Sequence, residues 1–463
     1  MFAKETYICR RERLKKDVGT GILLFLGNNE VGMNYEDNTY HFRQDSSFLY
    51  FFGLDYAGLA AVIDIDEDRE VVFGNDLTID DIVWQGTQPT LKEKSEVVGV
   101  HSTLPLGDLA GYLSRAAAKG QRIHFLPPYR GDHKIWLNEL LGVKPQEQKA
   151  AASVDFVKAV VAQRNHKDAE ELAAIEKAVD ISTRMHLEAY RLAKPGVREA
   201  TVAAAVERIA SDEGIGLSFP TIATVQGQIL HNHGYVHTLE EGQIFLLDAG
   251  AECSEHYAGD LSSAFPVSEK FTERQEFIYN LHLASFQAAV DTLALGVPFR
   301  NAHIAAAAKI VEGMKEIGLM RGNAQDAAES GAYAIFFPCG LGHMMGLDVH
   351  DMENLGEQYV GYPEGVAKST QFGFKSLRLA RPLEEGFVFT VEPGIYFMPE
   401  LIDKWHAEKK FTEFINYDKI EDWKGFTGLR NELDYVMTKD GARLLGTVKK
   451  PMSIEEIYAA KNA

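Results

Sequence analysis

The chain has 463 residues, which is more than one ordinary hydrophobic core requires, so its length favours two or three domains. Lysine and arginine number 47 against 67 aspartate and glutamate, which gives a formal net charge of −20. This acidity argues against nucleic acid or an anionic membrane surface as a partner.

The cysteines and the apolar segments predict where the protein works. Cys9, Cys253 and Cys339 are widely spaced and show no pairing pattern, as expected for free thiols in a reducing compartment. No apolar run has the length of a signal peptide core or of a membrane span. We therefore expect a cytoplasmic protein.

The first third of the chain has the pattern of a mixed α/β domain. Residues 7–18 predict a basic helix, and short apolar runs between Asp-rich turns predict strands. We place strands at 22–26, 48–52, 60–65, 70–73 and 122–126, and a second helix at 109–118. The histidines of this region, which form no ligand cluster in the sequence, are expected to be structural or solvated: His41, His101, His124 and His133.

The sequence pattern changes between Pro145 and Asp168, and this change marks a domain boundary. We place the boundary between residues 160 and 161, so that the domains are 1–160 and 161–463. From Asp168, apolar residues recur at helical spacing until Pro195 stops the helix, and a second helix follows to about residue 211. This pattern of helix, Gly-Val turn and helix is repeated 100 residues later around Gly296.

Residues 244–267 predict a β-hairpin with a carboxylate at the end of each strand. An apolar run ends on Asp248, a polar segment with two glycines follows, and Asp260 begins the second run. Side by side, the two carboxylates would repel each other unless a cation lay between them. The alternative is that both are ordinary turn residues, a common role for aspartate.

Three further segments of the C-terminal half offer ligands. His343 is closely flanked by glycines, and Glu392 ends an apolar strand before Pro393. In the third segment Arg430, Glu432 and Asp434 alternate with other residues, so they would share one face of a strand.

Two aspartates, one histidine and two glutamates form a set of hard ligands. Such a set suits Mn²⁺, Co²⁺, Fe²⁺ or Zn²⁺ and argues against copper or an iron–sulfur cluster. Four carboxylates would over-neutralise one divalent ion, so the sequence favours a dinuclear site of the kind used in hydrolysis. For His343 alone, a satisfied core or loop histidine is the alternative.

These segments resemble the pita-bread metallopeptidases, and within them aminopeptidase P and prolidase. The motifs are DAGAE at Asp248, YAGD ending on Asp260, GLGHxxGLxVHD around His343, VEPGIY at Glu392 and RxE ending on Glu432. Residues 27–30 and 42–53 are similar to the N-terminal domain of aminopeptidase P. The resemblance implies an α+β fold, with a C-terminal pita-bread catalytic domain of two pseudo-symmetric α+β halves after a smaller mixed α/β domain.

The resemblance also assigns roles to the ligands. One metal would be held by Asp248, Asp260 and Glu432, and the other by Asp260, His343, Glu392 and Glu432. A hydroxide between the two ions would be the nucleophile, with Glu392 as the proton shuttle. Manganese is the expected metal, with cobalt, zinc or iron as alternatives.

Other residues match positions that contact substrate in the family. His231 and His350 would contact the substrate and the developing oxyanion, and Arg430 would orient Glu432 or bind substrate. Tyr396 is a further substrate-binding candidate. Trp84 matches a tryptophan that reaches a neighbouring subunit's active site, with local packing as the alternative. His233 and His237 would complete an HxHxxxH metal motif with His231, although a solvated loop is the simpler interpretation.

The function implied is that of an Xaa-Pro aminopeptidase acting on proline-containing peptides, with prolidase as the alternative. A non-catalytic binding protein of the same fold and an enzyme that removes the initiator methionine are more remote hypotheses. A homodimer or homotetramer is expected from the family.

The sequence departs from the family pattern in three places. Residues 249–259 place eleven residues between the two aspartates, one more than is usual, at the hairpin tip. Asn431 and Leu433 differ from the residues that commonly surround the bridging glutamate. Segments 354–383 and 397–426 are long, and they form either a rim or lid over the site or a surface elaboration.

Overall fold

The computed structural model describes residues 1–462, which divide into two compact units. The first unit contains residues 1–164 and 352–359, and the second contains residues 165–351 and the chain from Val360 onward. The boundary between residues 160 and 161 stays a prediction about folding domains. Across the described residues, no helix combines the length and the apolar character needed to cross a membrane.

The first unit is built on a five-stranded mixed sheet in the order β4-β3-β2-β1-β5. Its strands are β1 (Ile22–Leu26), β2 (Ala60–Asp64), β3 (Arg69–Phe73), β4 (Ser102–Leu104) and β5 (Ile123–Phe125). Its helices are α1 (Lys4–Val18), α2 (Ser46–Phe52), α3 (Ile79–Gln85), α4 (Leu91–Val97), α5 (Leu109–Ala118), α6 (Gly131–Leu141), α7 (Gln148–Ala151) and α8 (Val154–Arg164). Alternate residues of β1 to β3 pack with Leu113 of α5 and Leu137 of α6 in one core, as a mixed α/β domain requires.

The strand predicted at 48–52 is wrong, because these residues belong to helix α2. The side chain of Asp45 caps this helix by accepting a hydrogen bond from the backbone N–H of Phe48 at 2.9 Å. Gly53 ends it in the left-handed conformation, where a Cβ atom would lie 2.4 Å from the ring of Tyr7. All seven residues of α2 are buried, and a wholly buried apolar run has no period that distinguishes a strand from a helix.

The second unit contains the remaining elements. Its strands are β6 (Gly216–Leu217), β7 (Ile222–Thr224), β8 (Ile244–Ala249), β9 (Ala251–Glu252), β10 (Leu261–Pro266), β11 (Val388–Val391), β12 (Gly394–Tyr396), β13 (Gly428–Arg430), β14 (Leu433–Thr438) and β15 (Gly441–Leu444). Its helices are α9 (Ala169–Leu192), α10 (Glu199–Glu213), α11 (Glu273–Val290), α12 (Phe299–Glu316), α13 (Ala324–Ser330), α15 (Pro399–Ala407), α16 (Tyr417–Ile420) and α17 (Ile454–Lys461). Helix α14 (Glu357–Val360) lies where the chain passes from the first unit back to the second.

The predicted hairpin of the second unit is confirmed. Strands β8 and β10 pair antiparallel with Asp248 opposite Ser262, and every residue of both strands is buried. Asp260 immediately precedes β10, so the hairpin brings both aspartates to the same end of the sheet. The tip between them is structured, because Ala251 of β9 pairs with Leu217 of β6.

The two helix pairs repeat the same backbone arrangement. Helices α9 and α10 are joined by a turn in which Gly196 has φ of 88°, and α11 and α12 by a turn in which Gly296 has φ of 76°. The amide N–H of Gly196 donates to the carbonyl of Leu239, and that of Gly296 donates to the carbonyl of Leu383, both at 2.8 Å. The sequence repeat around Gly196 and Gly296 therefore corresponds to two halves with a similar backbone arrangement.

Candidate metal centre

The five predicted ligands of the second unit line one cavity of about 260 Å³. Asp248 lies in β8, Asp260 precedes β10, and Glu392 follows β11. His343 lies in the loop before β11, and Glu432 lies between β13 and β14. The cavity is also lined by His231, His350 and Arg430.

His343 lies between two of the carboxylates. Its Nε2 atom is 3.3 Å from Asp260 Oδ2 and 3.4 Å from Glu392 Oε1. Its Nδ1 atom is 3.0 Å from the backbone oxygen of Met344. Because a carbonyl oxygen can only accept, Nδ1 carries the proton in the neutral ring, and the lone pair of Nε2 faces the carboxylates. A cation at this position would be attracted by all three groups.

The ligand atoms of Asp260, His343 and Glu432 lie within 4.8 Å of one another, and all three side chains are buried. Neighbouring backbone holds the histidine in place. A Cβ atom on Gly342 would lie 2.1 Å from the carbonyl oxygen of Thr390, so glycine lets this loop lie directly against β11. The hydroxyl of Thr390 accepts from the backbone N–H of His343 and donates to Glu392 Oε1, both at 3.2 Å, and so links these two predicted ligands.

Arg430 connects two other predicted ligands, Asp248 and, through Ser262, Glu432. Its guanidinium donates to Asp248, to Ser262 Oγ at 2.8 Å and to Tyr396 OH at 2.9 Å. The hydroxyl of Ser262 donates in turn to Glu432 Oε2 at 2.8 Å. One buried arginine and one buried serine thus fix the orientation of two predicted ligands.

The single strand predicted through Arg430, Glu432 and Asp434 is interrupted, which corrects that expectation. Strand β13 ends at Arg430 and β14 begins at Leu433. Between them, the backbone N–H of Glu432 donates to the carbonyl of Ser262 at 3.1 Å. The alternation still directs all three side chains to one cluster, since Asp434 Oδ2 accepts from the backbone N–H of Asp260.

The pKa values of the clustered carboxyl groups indicate mutual repulsion that a bound cation would relieve. Burial raises the pKa of Asp260 and of Glu432 well above the usual range, and neighbouring carboxylates raise it further. Burial also raises the pKa of Asp248, although the nearby Arg430 opposes that shift, and burial raises the pKa of Asp434. Among residues 1–462, one oxygen of Asp248, of Glu432 and of Asp434 has no hydrogen-bond partner. Buried oxygens of this kind, together with one imidazole, fit a hard or borderline divalent metal.

The residues predicted to contact substrate lie in different environments. His231 lines the cavity, where burial and then the charge of Arg430 lower its pKa. The ring of His350 lies 4.3 Å from that of His343, in a T-shaped arrangement. Tyr396 is fully buried against Arg430. Trp84 lies on α3 of the first unit, where 86% of its surface is exposed.

Several residues of the site were not anticipated from the sequence. Arg378 and Cys339 line the cavity, and burial raises the pKa of the Cys339 thiol to about 12. Burial lowers the pKa of Lys450 to about 7, and the carboxylates that oppose this shift are Glu432 and Asp434. Ser262 could have been found from the hairpin register, because it lies opposite Asp248. Arg378 and Lys450 had no local signal, since both reach the site through long-range folding.

Comparison with known proteins gives two family-model matches. Residues 173–439 match the model of metallopeptidase family M24, and residues 7–126 match that of the aminopeptidase P N-terminal domain.

Similar proteins carry two kinds of name. An Xaa-Pro dipeptidase of Homo sapiens is 30% identical, over 98% of this chain and 91% of the relative. A probable Xaa-Pro aminopeptidase of Sordaria macrospora is 28% identical, over 96% of this chain and 93% of the relative. The structure of the aminopeptidase PepP of Pseudomonas aeruginosa is similar with a TM-score of 0.81 and 24% identity, covering 100% of this chain and 98% of the other. At that identity the structure supports the fold alone.

Proposed function

The chain belongs to metallopeptidase family M24, and from that premise we propose that it is an Xaa-Pro aminopeptidase, which hydrolyses the bond between an N-terminal residue and a following proline. The observation that carries the proposal is the cluster of Asp248, Asp260, His343, Glu392 and Glu432 around one cavity. The match of residues 7–126 to the model of the aminopeptidase P N-terminal domain supports the proposal.

The metal is proposed to be a pair of divalent ions, with manganese as the first choice. Asp248, Asp260 and Glu432 would hold one ion, and His343 and Glu392 would join the shared Asp260 and Glu432 on the other. Bound metal supplies Lewis-acid polarisation of the carbonyl and a water molecule with a lowered pKa.

Charge balance supports two ions. The cluster holds five carboxylates, those of Asp248, Asp260, Glu392, Glu432 and Asp434, and one buried arginine, Arg430. Lys450, whose pKa burial lowers to about 7, adds at most one further positive charge. The ionised cluster therefore stays negative with one divalent ion but not with two.

The protein groups have separate tasks in this proposal. Glu392, which lines the cavity and accepts from Thr390, would carry the proton to the departing proline nitrogen. His231 and His350 would donate hydrogen bonds to the substrate carbonyl oxygen. The Xaa-Pro bond has no N–H, so peptidases that grip an extended backbone bind it poorly, whereas this cavity would act on its carbonyl.

A second candidate, an Xaa-Pro dipeptidase, is favoured by one observation. Arg378 lines the cavity, as His231 does. A guanidinium there would suit the free carboxylate of a dipeptide, a group that binds arginine with two hydrogen bonds. The dipeptidase of Homo sapiens, at 30% identity, supports the same candidate.

Hydrolysis of Xaa-Pro-Xaa and Xaa-Pro peptides by metal-stripped protein, with Mn²⁺, Co²⁺ or Zn²⁺ restored, tests both candidates. Restored cleavage of the tripeptide supports the aminopeptidase, and cleavage of the dipeptide alone supports the dipeptidase. Glu392→Gln should abolish either activity. Glu385→Gln, at an exposed glutamate seven residues earlier, is the control that should retain it.

Three further assignments belong to the same proposal. We place the domains at 1–160 and 161–463, next to the change of compact unit. The three cysteines are free, which supports a reducing compartment such as the cytoplasm. A homo-oligomer is proposed in which Trp84 serves a neighbouring subunit, and its high exposure supports this.

A further inference from the structure

Glu199 holds together the two ends of the loop that carries His231. Its Oε1 atom accepts from the backbone N–H of Val225 at 3.0 Å, and its Oε2 atom accepts from that of His237 at 2.9 Å. The side chain is fully buried at the first turn of α10. Negative charge at a helix N-terminus is favourable, and both hydrogen bonds are charge-assisted.

Residues 225–237 form a compact loop closed at its base, the arrangement of an Ω-loop. Tyr235 OH donates to the carbonyl of Thr221 at 2.5 Å, and Asn232 donates to Thr224 Oγ1 at 3.0 Å. These bonds tie the middle of the loop to β7 and to Thr221, which precedes that strand. Glu199 is the group that bonds to both of its ends.

The second half of the unit provides an internal comparison, because its helix pair makes the same backbone bonds without a carboxylate. The backbone N–H of Glu199 donates to the carbonyl of His237, and that of Phe299 donates to the carbonyl of Arg381, both at 3.0 Å. Phe299 thus occupies the position equivalent to Glu199 and is equally buried. The backbone arrangement therefore does not require a glutamate, and the carboxylate serves a purpose specific to the first half.

We propose that Glu199 is a positioning residue that holds the His231 loop in its productive geometry at the cavity. The proposal rests on the proposed function for the role of His231, but the contacts of Glu199 are independent of it. Loss of the carboxylate would remove one hydrogen bond from each end of the loop, leave the backbone bond between Glu199 and His237 in place, and let His231 move away from the substrate.

Hydrogen exchange and kinetics of the full, metal-loaded chain test this proposal. In Glu199→Gln the amide group can accept at only one loop end, because its NH₂ would face the other N–H. We expect peptides covering 225–237 to exchange about tenfold faster. We also expect kcat/KM to fall by about 10- to 100-fold, chiefly through kcat, with unchanged metal content.

Glu171→Gln is the matched control. Glu171 is also buried on a helix and accepts two hydrogen bonds, from Tyr257 OH at 2.9 Å and from the backbone N–H of Asp168 at 3.0 Å. This variant should lower the thermal midpoint without changing exchange in 225–237 or kcat.

Unchanged exchange in Glu199→Gln, or kinetics equal to those of the control, would overturn the proposal. If the glutamine variant does not fold, Glu199→Asp, which keeps the charge but shortens the reach, takes its place with the same expected direction. If the wild-type protein hydrolyses neither peptide, the proposed function fails, and the exchange experiment still decides whether Glu199 holds the loop.

Discussion

Metal binding should release protons from the carboxylate cluster, so that metal affinity rises with pH. Burial and mutual repulsion raise the pKa of Asp260 and Glu432, so the metal-free folded protein retains protons that the unfolded chain has already lost. The contribution of these groups to the stability of the metal-free protein therefore declines as the pH rises from the ordinary carboxyl pKa to the raised values, and it is level above them. A bound divalent ion removes the repulsion, and the retained proton must leave.

The magnitude follows from the number of protons displaced. Each displaced proton strengthens metal binding about tenfold per pH unit, which is about 1.4 kcal/mol. Buried His186 and His282 have pKa values lowered by burial to about 3 and about 4, so both rings are neutral from pH 6 to 8 whether or not metal is bound. These two rings therefore add no proton to the difference between the metal-free and the metal-bound protein. With one proton displaced, we expect affinity to rise about tenfold for each pH unit over which the metal-free protein retains that proton.

Isothermal titration calorimetry of metal into metal-stripped protein, at pH 7 in two buffers of different ionisation enthalpy, counts the released protons directly. Asp64→Asn is the control, because Asp64 is a buried carboxylate of the first unit that accepts from Tyr112, Gln121 and the backbone N–H of Glu67. It should leave the count unchanged. A count of zero in the wild-type protein, or affinity that falls as the pH rises, would refute the reasoning.

Three further outcomes are expected. Arg378→Met should raise KM for an Xaa-Pro dipeptide about 10- to 100-fold, because a charged hydrogen bond to the carboxylate of the dipeptide is lost. The KM for longer peptides should change less, and steady-state kinetics on both substrates measure the difference. Trp84→Ala should raise KM without changing the free energy of unfolding by more than about 0.5 kcal/mol, since the side chain is 86% exposed. Gly342→Ala should destabilise the protein by about 1–3 kcal/mol and reduce metal content, because the added methyl meets the Thr390 carbonyl; thermal unfolding and elemental analysis report the two effects.

The sequence was most informative where local signals and chemistry coincide. Asp248 ends one apolar run and Asp260 begins the next, and the hairpin that these runs predict is present in the structure. His343 lies among glycines because the backbone there lies against β11. The match to the family motifs added the remaining predicted ligands, and the structure brings all five predicted ligands to one cavity.

The sequence was least informative where burial or distance hides the signal. Residues 48–52 are apolar on every side, so their helix could be recognised only from its capping residues, Asp45 and Gly53. Lys450 lies 18 residues beyond Glu432, and its burial near that carboxylate depends on the packing of the whole unit. The two bonds of Glu199 span 26 and 38 residues, and no periodicity indicates them.

The two halves of the second unit share a scaffold but supply different chemistry to the cavity. In each half a helix pair bonds through the same turn to a neighbouring segment, which ends at Leu239 in the first half and at Leu383 in the second. Both segments reach the cavity, one with His231 and the other with Arg378. Because the backbone bonds are equivalent, the differences between the halves lie in the side chains, and Glu199 opposite Phe299 is one such difference. The proposed positioning role is therefore specific to the half whose loop carries His231, because the side chain of Phe299 has no group that could hydrogen-bond to the segment that carries Arg378.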